Sequence, residues 1–369
     1  MPANDLTRRL GLALPLVQAP MSGGVTTPAL VAAVSEAGGL GSLGAGHMSA
    51  GAIEAACTAI RRETQRPFAV NLFVPDQRGA SNSPEDLAEA SAALDAYRAE
   101  MGLTPPQDAS TAFRPPAWEQ QIAAVLKVRP AAVSFCFGLP EAEDLEALGD
   151  AGIYLIGTAT TVAEARLIED AGLDCVVAQG FEAGGPRATF TVPHDQGLVG
   201  LMALLPQVTA SVDIPVLAAG GLMTGQAMAA VLALGAAGAQ LGTAFATCTE
   251  SGLSAVQCQA LLSAHEDGTA LTEAFTGKPE RALRNRFLVE AFTARLPIAP
   301  YPAQQAITSD LRRAAAEQDR PDLMALWAGQ GVGAVRRCSA GELVSALASE
   351  MNQALSTMGD LAGRWPREV

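Results

Sequence analysis

The chain predicts an α/β fold, a (β/α)8 (TIM) barrel with additions, and three observations carry that reading. First, an Ala-rich helical pattern, a glycine break and a short apolar run recur together. They appear as VAAVSEAGGLGSLGAG (31–46), LEALGDAGIYLIGTAT (145–160), ARLIEDAGLDCVVAQG (165–180) and AAVLALGAAGAQLGTA (229–244). In each, the glycine caps a helix and the run after it reads as a buried strand. Second, PLVQAPM (15–21), PFAVNLFV (67–74), AAVSFCF (131–137) and IPVLAAGG (214–221) bring the candidate strands to eight, the closure number of this barrel. Parallel neighbours need a crossover, and the helices between the runs supply it. Third, 49% hydrophobic and only 17% charged residues, with 36 glycines in 369 positions, suit a parallel sheet buried between helices.

Taken in order, the N-terminal MPANDLTRRLGLALPLVQAP carries prolines and runs into the first strand, so it reads as neither signal peptide nor membrane span. Residues 1–75 and 119–245 form the barrel. Residues 76–118, with DQRGASNSPED and the Pro-rich PPQDASTAFRPPAW, do not fit the repeat and read as an insertion after strand three that reaches over the active-site mouth. Residues 246–369 read as a mostly helical lid or side domain that completes the substrate pocket.

The formal charge of −14 disfavours nucleic acid and anionic lipid as partners, so any phosphate must be held locally by backbone amides. Six scattered cysteines without a CxxC pair suggest free thiols in a reducing cytoplasm, and no metal-ligand spacing is present.

In such a barrel the chemistry lies where the strands end. Strand one ends at Pro20-Met21-Ser22, strand three at Asn71, strand six at Gln179-Gly180, strand seven at Gly220-Gly221 and strand eight at Gln240-Leu241-Gly242-Thr243. Glycines after strands seven and eight let backbone approach a ligand, and amides at a following helix start can hold a phosphate. Asn71 and Gln179 are placed to hydrogen-bond a planar ring. After strand six comes GFEAGGPRATF, a glycine-rich turn with one acid, Glu182, and one arginine, Arg187.

QAPMSGGVTTPALVAAVSEAGGLGSLGAG, PFAVNLFVP, VSFCFGLP, GTATTVAEAR, VVAQGFEAGG, IPVLAAGG, QLGTAF and WAGQGVG together resemble the first class of nitronate monooxygenases, formerly called 2-nitropropane dioxygenases. The resemblance spans about residues 15 to 333. It implies an FMN barrel that turns an alkyl nitronate and O2 into a carbonyl compound and nitrite. It also implies FMN contacts at Met21, Asn71, Gln179, Gly184, Gly221 and the run Gln240 to Thr243, with Gly220 beside them. Family members usually carry a histidine after the paired glycines, the base that deprotonates a neutral nitroalkane; here that position is Pro186, which can neither titrate nor donate a backbone hydrogen bond. Three replacement bases stay open: His47 after strand two, His194 eight residues past Pro186, and Glu182, whose plainer role is an ion-paired brace for Arg187. His265 reads as surface. Pro186, Arg187 and Tyr301 are the expected substrate-pocket residues. The alternatives are an NAD(P)H-dependent quinone or enoyl reductase on the same frame, and a flavin-binding protein with little turnover.

Overall fold

A computed structural model describes residues 5–75, 83–106 and 115–363. Eight parallel strands form one sheet: β1 (Leu16–Gln18), β2 (Gly41–Gly44), β3 (Phe68–Phe73), β4 (Ala132–Cys136), β5 (Tyr154–Ala159), β6 (Cys175–Gln179), β7 (Val216–Ala219) and β8 (Gly238–Leu241). β8 returns to β1 with Leu16 opposite Ala239 and Gln18 opposite Leu241. The ring closes between β1 and β2 through a Val17–Leu40 bridge, where Leu40 N–H donates to Leu16 O and Gln18 N–H to Leu40 O, each at 2.9 Å. A side chain then continues the ladder: the Gln18 amide accepts from Ser42 N–H at 3.1 Å and donates to Ser42 O at 3.3 Å. Backbone groups that the short strand leaves over are thereby paired.

Side chains alternate across the wall. Val17, Ala69, Ala132, Tyr154, Ile156, Cys175, Val177 and Leu217 fill the barrel, while Leu16, Val70, Val133, Leu155, Val176 and Ala218 meet the outer helices. The N-terminal stretch does not run straight into β1 as expected. A short helix, Asp5–Leu10, and a turn precede it instead, and Leu6 and Leu10 of that helix join the barrel interior as a plug. Arg9 holds that end by pairing with Asp174 at 3.2 Å, just before β6.

The C-terminal region is more mixed than the helical tail that the sequence suggested. Its last helix, Ala340–Ala362, packs on Gly225–Ala233 and Pro28–Glu36, the helices that follow β7 and β1, and so takes the place of the eighth barrel helix. Between β8 and that helix lies a side layer. It contains the antiparallel strands Thr269–Thr272 and Glu280–Leu283, and the two residues Gly185–Pro186 from the barrel add a third, edge strand. Proline suits an edge because it lacks the N–H that a central strand would need. The described part of the 76–118 insertion joins the same layer, with Leu94, Tyr97 and Met101 packed among Phe275, Phe287 and Leu311. Arg98, fully buried, ties the two together by donating to Asp310 at 2.9 Å and to the Ile307 carbonyl at 2.9 Å. Much of DQRGASNSPED and PPQDASTAFRPPAW lies outside the described residues. Among the described residues no helix is long and apolar enough to cross a membrane.

Candidate active site

The turn after β6 is locked from three sides. Arg187, buried, donates to the carbonyls of Gly180 at 2.6 Å, Gln179 at 3.1 Å and Gly197 at 2.8 Å. Gln179 accepts from Ala188 N–H at 3.0 Å and donates to the Pro186 carbonyl at 3.2 Å. Glu164, also buried, accepts from Phe190 N–H at 2.6 Å and Thr191 N–H at 3.0 Å. Gln179 spends one Nε2 hydrogen and one Oε1 lone pair on the loop. Arg187 is a brace whose Nη1 and Nη2 are taken by carbonyls, while its buried Nε has no partner among the described residues; burial lowers its pKa to about 10, with the Glu182 charge opposing that shift.

Glu182 also differs from the expected ion-paired brace. Both carboxylate oxygens accept from Leu201 N–H, at 2.9 and 3.0 Å, at the start of the helix Leu201–Thr209. An anion is well placed at a helix N-terminus. His194 is exposed and pairs with Glu273 at 3.3 Å, while His265 is exposed as expected.

The glycines meet in one corner. Gly220 and Gly221 have φ of +127° and +67°, values that favour glycine. A Cβ on Gly184 would fall 2.5 Å from Gly329 N, so the turn packs directly on the WAGQGVG segment. Gln330 N–H donates to Glu182 O at 2.9 Å, and Gly329 N–H to Thr243 Oγ1 at 3.0 Å. Among the described residues the N–H groups of Gly221, Gly242 and Thr243 donate to nothing, which leaves a small set of backbone donors at the ends of β7 and β8. The helix after β7 is not part of that set, because Glu350 of the last helix accepts from its first amide, Gly225 N–H, at 2.8 Å. Leu241 turns its side chain into the outer core, so only its backbone faces this corner's surroundings. Gln240 pairs with Val17 on the β8–β1 seam.

On the other side of the mouth, Asn71 donates to Ser134 Oγ at 2.9 Å and to the Ser134 carbonyl at 3.2 Å, leaving its Oδ1 without a hydrogen bond among the described residues. Met21 packs against both the barrel core and the side-layer core. His47 stands with Tyr301, whose hydroxyl is 3.5 Å from His47 Nε2, and with Gln305, whose amide nitrogen is 3.3 Å away. Both neighbours are able to donate to that nitrogen. Burial, helped by the Arg312 charge, lowers the His47 pKa to about 4, so the imidazole is neutral throughout the physiological range. Phe73 supports it edge-on, and Gly46 must be glycine because a Cβ there would lie 2.4 Å from the Phe73 ring.

Comparison with known proteins fits this geometry. Residues 6–350 match the family model for nitronate monooxygenase. The chain belongs to that family. It is 39% identical over 351 residues to a probable nitronate monooxygenase of Staphylococcus aureus, covering 95% of this chain and 98% of that one. A Staphylococcus saprophyticus counterpart is also 39% identical, over 353 residues. Among solved structures, a nitroalkane oxidase from Streptomyces ansochromogenes superposes with a TM-score of 0.89 at 42% identity, covering 96% of this chain and 100% of that one. FabK from Thermotoga maritima shares the fold with a TM-score of 0.75 at 25% identity.

As a nitronate monooxygenase, the chain is a flavin-dependent oxidoreductase of nitronates or nitroalkanes on a TIM barrel. Several side chains near the mouth were not singled out from the sequence: Phe73, Phe137, Lys278, Gln305 and Arg312. Phe73 and Phe137 were within reach, since both sit at strand ends. Gln305 lies one helical turn after Tyr301. Nothing in the spacing links Lys278, in the turn TGKPE, to the barrel mouth.

Proposed function

We propose that this nitronate monooxygenase binds FMN and uses O2 to oxidise alkyl nitronates to a carbonyl compound and nitrite. The observation that carries the reading is the pairing of two features at the C-terminal ends of the barrel strands: the glycine corner with its unbonded amides, and the cluster of Phe73, Phe137 and Tyr301 around His47. The residues present fit the cofactor. The N–H groups of Gly221, Gly242 and Thr243 suit a phosphate in a chain whose net charge offers no basic field, and Asn71 Oδ1 suits a ring N–H. Bound there, the flavin would supply the redox chemistry between nitronate and O2.

The chain's own residues then have separable tasks. The braced turn fixes Gly184 and Pro186, and Tyr301 with Gln305 orients a neutral His47. Pro186 takes no proton. A nitronate arrives already ionised, so its oxidation needs no strong base, whereas a neutral nitroalkane must first lose its α proton. Preference for the preformed nitronate follows.

Mass analysis of the released cofactor and oxygen uptake with ethylnitronate, neutral nitroethane and NADH test this reading. FMN, brisk uptake with ethylnitronate and slow uptake with nitroethane are expected. Rapid NADH oxidation without nitronate turnover would replace it with an NAD(P)H-dependent reductase. Flavin with neither reaction would mean a binding protein of little turnover.

A further inference from the structure

The chain carries 38 acidic against 24 basic residues, yet three arginines gather at the N-terminal end of the barrel, the end away from the mouth. A cavity of about 380 Å³ opens there at the starts of β3 and β4, and Arg61, Thr64, Arg66, Phe68 and Arg129 are among its lining residues. No acid lines it among the described residues. The six residues of β3, about 20 Å of extended chain, separate it from the mouth.

The three arginines differ in what holds them. Arg61 Nη2 donates to the Arg129 carbonyl at 2.9 Å and to the Val128 carbonyl, and its guanidinium lies 5.5 Å from the Phe68 ring centroid. Those carbonyls end the helix Trp118–Val128, where a cation is favoured. Arg66 and Arg129 are exposed, and among the described residues neither guanidinium makes a hydrogen bond or an ion pair, in a chain of net charge −14. Arg129 also stands at φ +46°, in the left-handed region where a helix end ordinarily takes glycine, so its side chain is kept against a backbone penalty. A second depression of about 160 Å³, bordered by Gly11, Leu12, Ser35 and Glu36, shares Arg66 and Pro67 with the first. Glu36 accepts there from Thr64 Oγ1. Small-molecule sites run from about 300 to 1,000 Å³, so the larger cavity has room for more than a bare ion.

We propose that this end of the barrel is a binding site for a small phosphate ester. Its phosphate is held by the Arg66 and Arg129 guanidiniums, whose forked N–H groups match phosphate oxygens, and its body extends past Pro67 into the second depression. The site depends on neither the flavin nor the nitronate reading.

Calorimetric titration of the flavin-bound protein with ribose 5-phosphate and with ribose, its uncharged counterpart, tests this. Ribose 5-phosphate is expected to bind, less tightly as salt rises, and ribose is not. Arg66→Met and Arg129→Gly should each weaken ribose 5-phosphate binding about tenfold, the usual scale for losing a hydrogen bond to a charged group, and leave flavin content unchanged. Arg129→Gly should also keep or raise the melting midpoint, because glycine accepts the left-handed backbone, and this separates lost binding from a lost fold. Arg62→Met removes an exposed arginine outside the cavity and should bind as the parent does. No binding of ribose 5-phosphate by the parent, equal binding of ribose, or binding untouched by Arg66→Met and Arg129→Gly would each overturn the proposal. An equal loss in Arg62→Met would overturn it too, by showing a diffuse basic surface in place of a site.

Discussion

Pro186 and Glu280 stand directly opposite each other on paired strands, and each departs from what its position would lead one to expect. Cross-strand partners project to the same face with Cβ atoms roughly 5 Å apart. An imidazole installed by Pro186→His would therefore lie on the same face of the side sheet as the Glu280 side chain. Activity on neutral nitroethane should rise at least about tenfold, with nitronate turnover changed much less, since general-base loss costs about 10² to 10⁴ in rate. Oxygen uptake with both substrate forms reads this out; equal, brisk use of nitroethane by the parent would count against it. Glu280 is fully buried, and neither carboxyl oxygen meets full hydrogen-bond geometry with a neighbour. Burial raises its pKa well above the usual carboxylate range, and the approach of Thr276 and the Arg312 charge offset only part of that. A raised folded-state pKa gives stability below the unfolded value that is lost as pH climbs towards the folded one. Glu280→Gln should thus change little in mild acid and stabilise by about 1–3 kcal/mol at neutral and alkaline pH. Melting curves across that range would show a widening gap, and a constant gap would refute it. Pro186 and His47 were legible because strand ends and a familiar turn point to them, and Tyr301 only through the family resemblance. Lys278 and Glu280 were not, because Phe137 and Pro186, which they meet across the side layer, lie far from them in sequence.

At the scale of elements, the glycine break between helix and strand proved the most readable signal, because a buried parallel strand flanked by turns leaves little else for the pattern to mean. The barrel followed from it. Harder to read was how loops would meet: the turn after β6, the end of β7, the end of β8 and WAGQGVG form one corner only because Gly184, Gly220, Gly221 and Gly329 allow backbone to touch backbone. Of the helix starts that the sequence points to, the one after β7 has its first amide taken by Glu350, while the one after β8 begins at Thr243. Gly221→Asp tests the corner. At φ +67° a side chain is strained, its Cβ would lie 3.2 Å from Glu182 Cβ, and its carboxylate would repel a phosphate. The variant should keep its far-ultraviolet circular dichroism and lose most of its flavin. Full flavin content would place the phosphate elsewhere.

Over the whole molecule, two cores share one mouth, and the chain visits the barrel at both ends. Leu6 plugs it and Leu347, also fully buried, belongs to the helix that finishes its wall. The closing helix was invisible to pattern reading since it follows β8 by about 100 residues, after the whole side layer. Leu347→Ala should cost about 2–5 kcal/mol, a large share of the usual 5–15 kcal/mol for a domain, and lower the midpoint of unfolding accordingly. A midpoint shift within experimental scatter would mean that the helix is only draped on the barrel. The same contact sets an order of assembly. Gly225 fits against the last helix so closely that a Cβ would fall 2.2 Å from the Leu347 carbonyl. The helix Gly225–Ala233 leaves the ribosome long before that partner exists. With about 120 residues between them and synthesis at about 5–20 residues per second, its apolar face waits roughly 6 to 24 s uncovered. During that interval the nascent barrel has seven of its eight outer helices, and its last seam is exposed to whatever binds sticky surfaces at the tunnel exit.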